Sequence, residues 1–406
     1  NIGMSKILKI AGMPNLLSHA FQRAMAGLTE RQTNPGDSFW TWRELMYRFA
    51  SRITPEQLHA IAAQLYVEML EAGYTSVCEF HYLHHQPNGL PYENSAAMSQ
   101  AIMQAAQDTG IRLTLLPVLY MTGGFDGRAL NDQQKRFSHS VENFLGLIAK
   151  LQTQENDTLK IGIALHSLRA VPEKAIHEVL AGLSARLPVH IHISEQMAEV
   201  NDCIATRNAR PVQWLMDNVE VNPDWTLVHA THLDDAEVAL IAKSKATVAI
   251  CTTTEANLGD GFFRLRDFMA AGAAFGIGSA SNTSISPIEE LRSLEYGQRL
   301  LQQQRNIAVT SVQTSVGEFL WQKAVHDGRV STQQDCSDDY LVLDADTAAM
   351  AGVNDATLHD RLVFGGNRSL IKDVFVANRQ IVTNGRHSAR ESIAANYSKA
   401  LNELHT

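Results

Sequence analysis

Six polar segments carry the chemistry of this 406-residue chain, and histidine dominates them. They read Ser18-His19, Glu79-Phe80-His81-Tyr82-Leu83-His84-His85, His166-Ser167-Leu168-Arg169, His190-Ile191-His192-Ile193-Ser194-Glu195-Gln196, Val228-His229-Ala230-Thr231-His232 and Gly278-Ser279-Ala280-Ser281-Asn282. Most follow directly on a short apolar run. Neutral imidazoles brought together from several such segments can hold a zinc or iron ion, and a nearby carboxyl can move protons without ligating. His192 suits the first role and Glu195, three residues on, suits the second. His190 shares a strand face with His192, where packing inside the fold explains it as well as a place at the site does. His232 is expected to be structural where His229 is not. His81, His84 and His85 read equally well as a polar rim.

Positioning these groups requires strands that end at one common mouth. Apolar, β-rich runs occupy residues 7–10, 75–80, 113–120, 160–165, 188–193, 225–229, 247–251 and 275–278. Between them, residues 55–72, 95–106, 138–151, 173–183 and 236–242 carry apolar positions three or four apart, the helical period. Strand then helix, repeated eight times, predicts a (β/α)8 TIM barrel, in which the site lies at the C-terminal strand ends. The near-continuous apolar run Leu113-Thr114-Leu115-Leu116-Pro117-Val118-Leu119 suits a strand covered on both faces. The barrel is expected over residues 1–310, its last helix beginning at Pro287. Residues 311–406 form a C-terminal segment with a small β appendage, over residues 340–390, and a terminal helix.

Composition narrows the partners. A net charge of −9 without a basic block argues against nucleic acid. Cys78, Cys203, Cys251 and Cys336 are far apart and form no C-x-x-C pair, so neither a disulfide framework nor a thiolate zinc site is expected, and a reducing cytoplasm is the simplest home. No apolar stretch reaches the ~20 residues that span a bilayer. Asn1 to Lys6 lead into a mixed run without a signal-peptide cleavage pattern.

Taken in order, seven motifs resemble the formimidoylglutamate deiminases of the amidohydrolase superfamily. They are Gly12-Met13-Pro14-Asn15-Leu16 with the run from Ser18 to Leu28, residues 79–85, His166-Ser167-Leu168-Arg169-Ala170-Val171, residues 190–196, residues 227–232, Thr254-Glu255-Ala256-Asn257-Leu258-Gly259-Asp260-Gly261, and Leu294-Glu295-Tyr296-Gly297-Gln298-Arg299-Leu300. The resemblance covers the barrel and extends to the C-terminal strands near residues 374–385. It implies a mononuclear zinc hydrolase, with iron as an alternative metal, that turns N-formimino-L-glutamate and water into N-formyl-L-glutamate and ammonia. It also implies metal ligands at His19 and His192, with Glu195 and His229 as catalytic groups. Substrate contacts are implied at Gln22, Arg43, Tyr82, His166 and Arg169. Two guanidinium groups suit a dicarboxylate through paired, planar hydrogen bonds.

Two positions depart from that pattern. Leu17 stands where the family has the first histidine of an H-x-H, and Ala280 stands where it has an aspartate. Alkyl groups offer no lone pair, so metal-dependent activity is expected to be impaired. The alternative is a non-catalytic paralogue that binds a carboxylate ligand or a protein partner. A further alternative is a metal-free reaction with His229 and Glu195 as acid and base. The resemblance implies a homodimer. Only about ten residues precede the first motif, so the C-terminal strands are expected to lack sheet partners.

Overall fold

The computed structural model describes residues 6–405; the expectation about the first residues, Asn1 to Ser5, lies outside them. Eight parallel strands form the barrel wall: Met13–Ser18, Tyr74–His81, Arg112–Leu119, a fourth broken at Gly162 into Leu159–Ile161 and Ile163–Leu165, Val189–Ile193, Trp225–His229, Thr247–Ile250 and Ala274–Ile277. Adjacent strands pair in parallel from first to eighth, with register shifts in the first pair. A parallel bridge between Ser18 and Ala280 then joins the last strand to the first. That seam is held by main-chain groups, the His19 N–H donating to Ala280 O at 3.0 Å and the Ala280 N–H to Leu17 O at 2.8 Å. Gly278 makes the approach possible, because a Cβ there would lie 2.8 Å from the Leu17 nitrogen. The barrel expected from the strand–helix rhythm is therefore present.

One strand assignment is corrected. Residues 7–10 do not open the barrel: Leu8–Ala11 pairs antiparallel with Tyr340–Leu343 in a separate five-stranded sheet that continues through Ile371–Val376, Arg379–Thr383 and Arg386–His387. The burial pattern gives the reason. Leu8 and Ile10 are buried while Lys9 is exposed, the alternation of a sheet with one wet face, whereas Met13–Ser18 is buried at every position. The C-terminal strands consequently do have a partner, supplied by the chain's own beginning. Residues 374–382 form a hairpin that turns at Ala377 and Asn378, both at positive φ.

The barrel's two ends differ. At the N-terminal end, the helix Val316–Thr332 lies across the strand starts, with Asp327 accepting from Phe275 N at 3.0 Å and Ser331 bonded to Thr226 at 2.7 Å. Over the other end sits the helix Phe39–Ala50, begun by a Ser38–Thr41 capping box. Arg136, 1% exposed, holds that helix down by donating to the carbonyls of Ala50 at 2.6 Å, Ile53 at 2.8 Å and His85 at 3.0 Å. A cation at the carbonyl end of a helix also meets the negative pole of its dipole.

Candidate active site

The first and fifth strands bring His19 and His192 together, their Nε2 atoms 3.2 Å apart. His19 donates its Nδ1–H to the carbonyl of Phe80 at 3.0 Å, which leaves the Nε2 lone pair facing His192. The Phe80 ring stacks on His192 at 4.2 Å. Burial pushes His19 down to about 4 and His192 well below the usual imidazole range, with neighbouring imidazoles adding to both shifts. Both rings are therefore neutral at physiological pH, the form that ligates.

Beyond His192 the ring of His229 stacks at 5.7 Å. His229 ends its strand at φ 71°, a left-handed conformation rare for a residue with a Cβ, and this turns its ring into the mouth. Its Nδ1–H donates to buried Glu255 at 2.8 Å, and Glu255 also accepts from the Cys251 N–H at 2.8 Å. The other ring nitrogen faces Glu195, 3.5 Å away. Asp260 stands beside Glu195 and accepts from the Gln196 amide. Burial and the neighbouring Asp260 carboxylate hold Glu195 well above the ordinary carboxyl range, and burial pushes Asp260 up to about 6.

A cleft opens over these groups and is also lined by Gln22, Arg43, Tyr82, His166 and Arg169. Arg169 comes from the turn after the fourth strand and donates to the Tyr120 hydroxyl at 3.3 Å. Arg43 comes from the overlying helix, its guanidinium 4.7 Å from the Trp40 ring centre. Neither arginine is in direct ion-pair contact with a carboxylate among the described residues, although Glu199 also lines the cleft and acts on Arg169 electrostatically. Gln22 donates to the Tyr82 hydroxyl at 3.0 Å, and its buried Oε1 is left without a partner. His166 shares a hydrogen bond with Ser167 at 3.0 Å.

Residues 9–314 match the amidohydrolase family. The chain belongs to that family. It is 48% identical over 403 residues to formimidoylglutamate deiminase of Pseudomonas aeruginosa, covering 97% of this chain and 89% of that protein. Among solved structures it is similar to an amidohydrolase from Brucella melitensis, with 44% identity, a TM-score of 0.93, and coverage of 98% and 90% of the two chains. It shares its fold with atrazine chlorohydrolase from Arthrobacter aurescens complexed with zinc, at 18% identity and a TM-score of 0.83 over 97% and 88% of the chains.

In this amidohydrolase the zinc that the family implies does not find its full donor set. His19 and His192 stand at a separation close to the ~3.3 Å edge of a tetrahedral zinc site with 2.0–2.1 Å bonds. Among the described residues, however, neither belongs to a group of three or more His, Cys, Asp or Glu whose donor atoms converge. Leu17 is fully buried in the hydrophobic core, and Ala280 presents only a methyl to the cleft. Two imidazoles are half of the usual four ligands, too few to hold a catalytic zinc firmly at that pair.

The remaining histidines of the sequence lie outside the cleft. His190 is fully buried in the barrel interior, and His232 donates to the Asp260 carbonyl at 2.7 Å. His84 and His85 donate to the carbonyls of Val118 and Ser138. Glu255 and Asp260 lie within the seven motifs, but the sequence does not single them out as individual site groups. The available signal was an acidic residue four positions after Cys251, just beyond a strand end, where this amidohydrolase keeps its polar groups.

Proposed function

We propose that the cleft binds a glutamate-derived amidine of the N-formimino-L-glutamate type, and that its hydrolysis to N-formyl-L-glutamate and ammonia is impaired by Leu17 and Ala280. One observation carries the substrate half: two guanidinium groups, Arg43 and Arg169, line the cleft, and among the described residues neither is in direct ion-pair contact with a carboxylate. A cation taken from water and left unpaired favours an anionic ligand, and two of them suit a molecule with two carboxylates. Gln22 and Tyr82 supply neutral polar contacts between the arginines and the histidines, while Glu195 and His229 are within reach of each other for proton transfer. The deiminase relative supports the same substrate class.

The alternative reading, a non-catalytic paralogue that uses the cleft for binding alone, rests on the carbon side chains at positions 17 and 280. Calorimetry with N-formyl-L-glutamate, paired with an ammonia-release assay on N-formimino-L-glutamate, separates these outcomes. Binding with ammonia release no faster than buffer is expected. Rapid release would overturn the impairment, and absence of binding would sink the substrate reading. The protein is proposed to act as a cytoplasmic homodimer, a state that sedimentation reporting a single-chain mass would refute.

A further inference from the structure

We propose that a divalent transition-metal ion binds between Glu195, His229 and Asp260, displaced from the His19–His192 pair. The inference concerns metal uptake and holds whichever molecule fills the cleft. One donor atom from each of the three residues lies within 4.8 Å of the other two, with Glu195 Oε2 and His229 Nε2 at 3.5 Å. Bonds of 2.0–2.2 Å to one ion need donors about 3–3.5 Å apart, so the side chains have to close by roughly 1.5 Å at most.

The imidazole is already set for the purpose. Glu255 accepts the Nδ1–H of His229 and is itself anchored by the Cys251 N–H, which fixes the tautomer and leaves Nε2 as a lone pair toward Glu195. A carboxylate behind a histidine is the usual outer support of a ligating imidazole. The same hydrogen bonds commit the inner edge of the ring, which rules out the neighbouring trio His229, Cys251 and Glu255 as the site.

Asp260 supplies an independent sign. It is 5% exposed, its Oδ1 accepts from Gln196, and its Oδ2 meets no donor other than a protonated Glu195. A buried carboxylate oxygen left unsatisfied is costly unless something fills the gap. Neither Glu195 nor Asp260 forms an ion pair with a lysine or arginine among the described residues. Two adjacent carboxylates without a counter-cation either share a proton or hold a metal. One imidazole and two carboxylates suit Zn²⁺, Mn²⁺, Fe²⁺ or Co²⁺ better than Ca²⁺, whose sites are built from six to eight oxygens.

The test is a cobalt titration of full-length protein previously dialysed against chelator, followed by visible absorption and elemental analysis. Stoichiometric Co²⁺ uptake is expected, weakened by more than about 100-fold in Asp260→Asn and Glu195→Gln, beyond the cost of losing an outer-shell partner. His19→Ala is expected to keep its cobalt. Circular dichroism checks each fold, and one folded carboxylate variant suffices. Loss of uptake in His19→Ala with retention in Asp260→Asn would place the ion at the histidine pair and overturn the proposal. No uptake by the parent protein would mean that the carboxylates share a proton, and would overturn it equally. Calorimetry with N-formyl-L-glutamate on the chelator-treated protein is scored separately, so failure of the cation site is distinguishable from failure of the substrate reading.

Discussion

Ala280 sets a methyl on a backbone that suits a different side chain. It holds φ 43°, in a left-handed region that alanine visits reluctantly and aspartate or asparagine more readily. Leu17→His with Ala280→Asp is therefore expected to be tolerated by the backbone at position 280. The double variant should take up about one zinc per chain at a site insensitive to Asp260→Asn, and should gain ammonia release. Elemental analysis that finds no added metal would show that the pocket has diverged beyond these two positions. Arg43→Ala and Arg169→Ala should each weaken N-formyl-L-glutamate binding by about 10- to 100-fold, the size of a lost hydrogen bond between charged groups. Equal affinity in calorimetry would remove these residues from the site. His19, His192, Glu195 and His229 were legible in the sequence because each lies at or just past the end of an apolar run. Asp260 was not, because its importance comes from a loop folding back beside Glu195, and no local pattern reports that.

At the scale of elements, the part least legible in the sequence is the helix Phe39–Ala50. Its aromatic run Phe39-Trp40-Thr41-Trp42 does not follow a clean helical period, and it places Arg43, which in isolation reads equally well as a solvated loop charge or a site residue, over the cleft. The long helix Pro55–Ala72 was readable to the residue, since Thr54 caps it, Pro55 opens it and Gly73 ends it at φ 107°. The misplaced first strand had a different cause. Two apolar runs flank Gly12, and only pairing partners distant in sequence decide which one enters the barrel. Arg136→Met tests the attachment of the overlying helix. It leaves three buried carbonyls without their donor and is expected to cost about 2–4 kcal/mol, with faster amide exchange over residues 39–50. Unchanged exchange there would mean that the helix is held by its aromatic contacts instead.

For the molecule as a whole, buried ionisable groups set the response to pH. Burial raises the Glu290 and Glu79 carboxyls to about 8, so the folded chain holds these protons more tightly than the unfolded one, and stability declines as pH rises from 4.5 toward 8. Burial lowers His81, His139 and His190 to about 3, and their contribution is present above 6.5 and lost as pH falls toward 3. The two sets oppose each other between 4.5 and 6.5, and of these groups only the carboxyls act between 6.5 and 8. The melting temperature should therefore drop from pH 6.5 to 8, less steeply in Glu290→Gln; a flat profile in scanning calorimetry would contradict this. The architecture itself was readable because the strand–helix alternation runs through most of the chain, whereas the second sheet draws on both ends of the sequence and left only half its signature in each.

The barrel is fastened by main-chain groups of Leu17, His19 and Ala280, two of which, Leu17 and Ala280, carry alkyl side chains where the family resemblance implies metal donors. Amide and carbonyl atoms are common to all residues there, so exchange of the side chains leaves the closure of the cylinder intact. A lineage that abandoned the reaction would go on making a well-folded protein that chaperones and proteases have no reason to remove. Selection would then be free to retain the receptacle for its ligand alone.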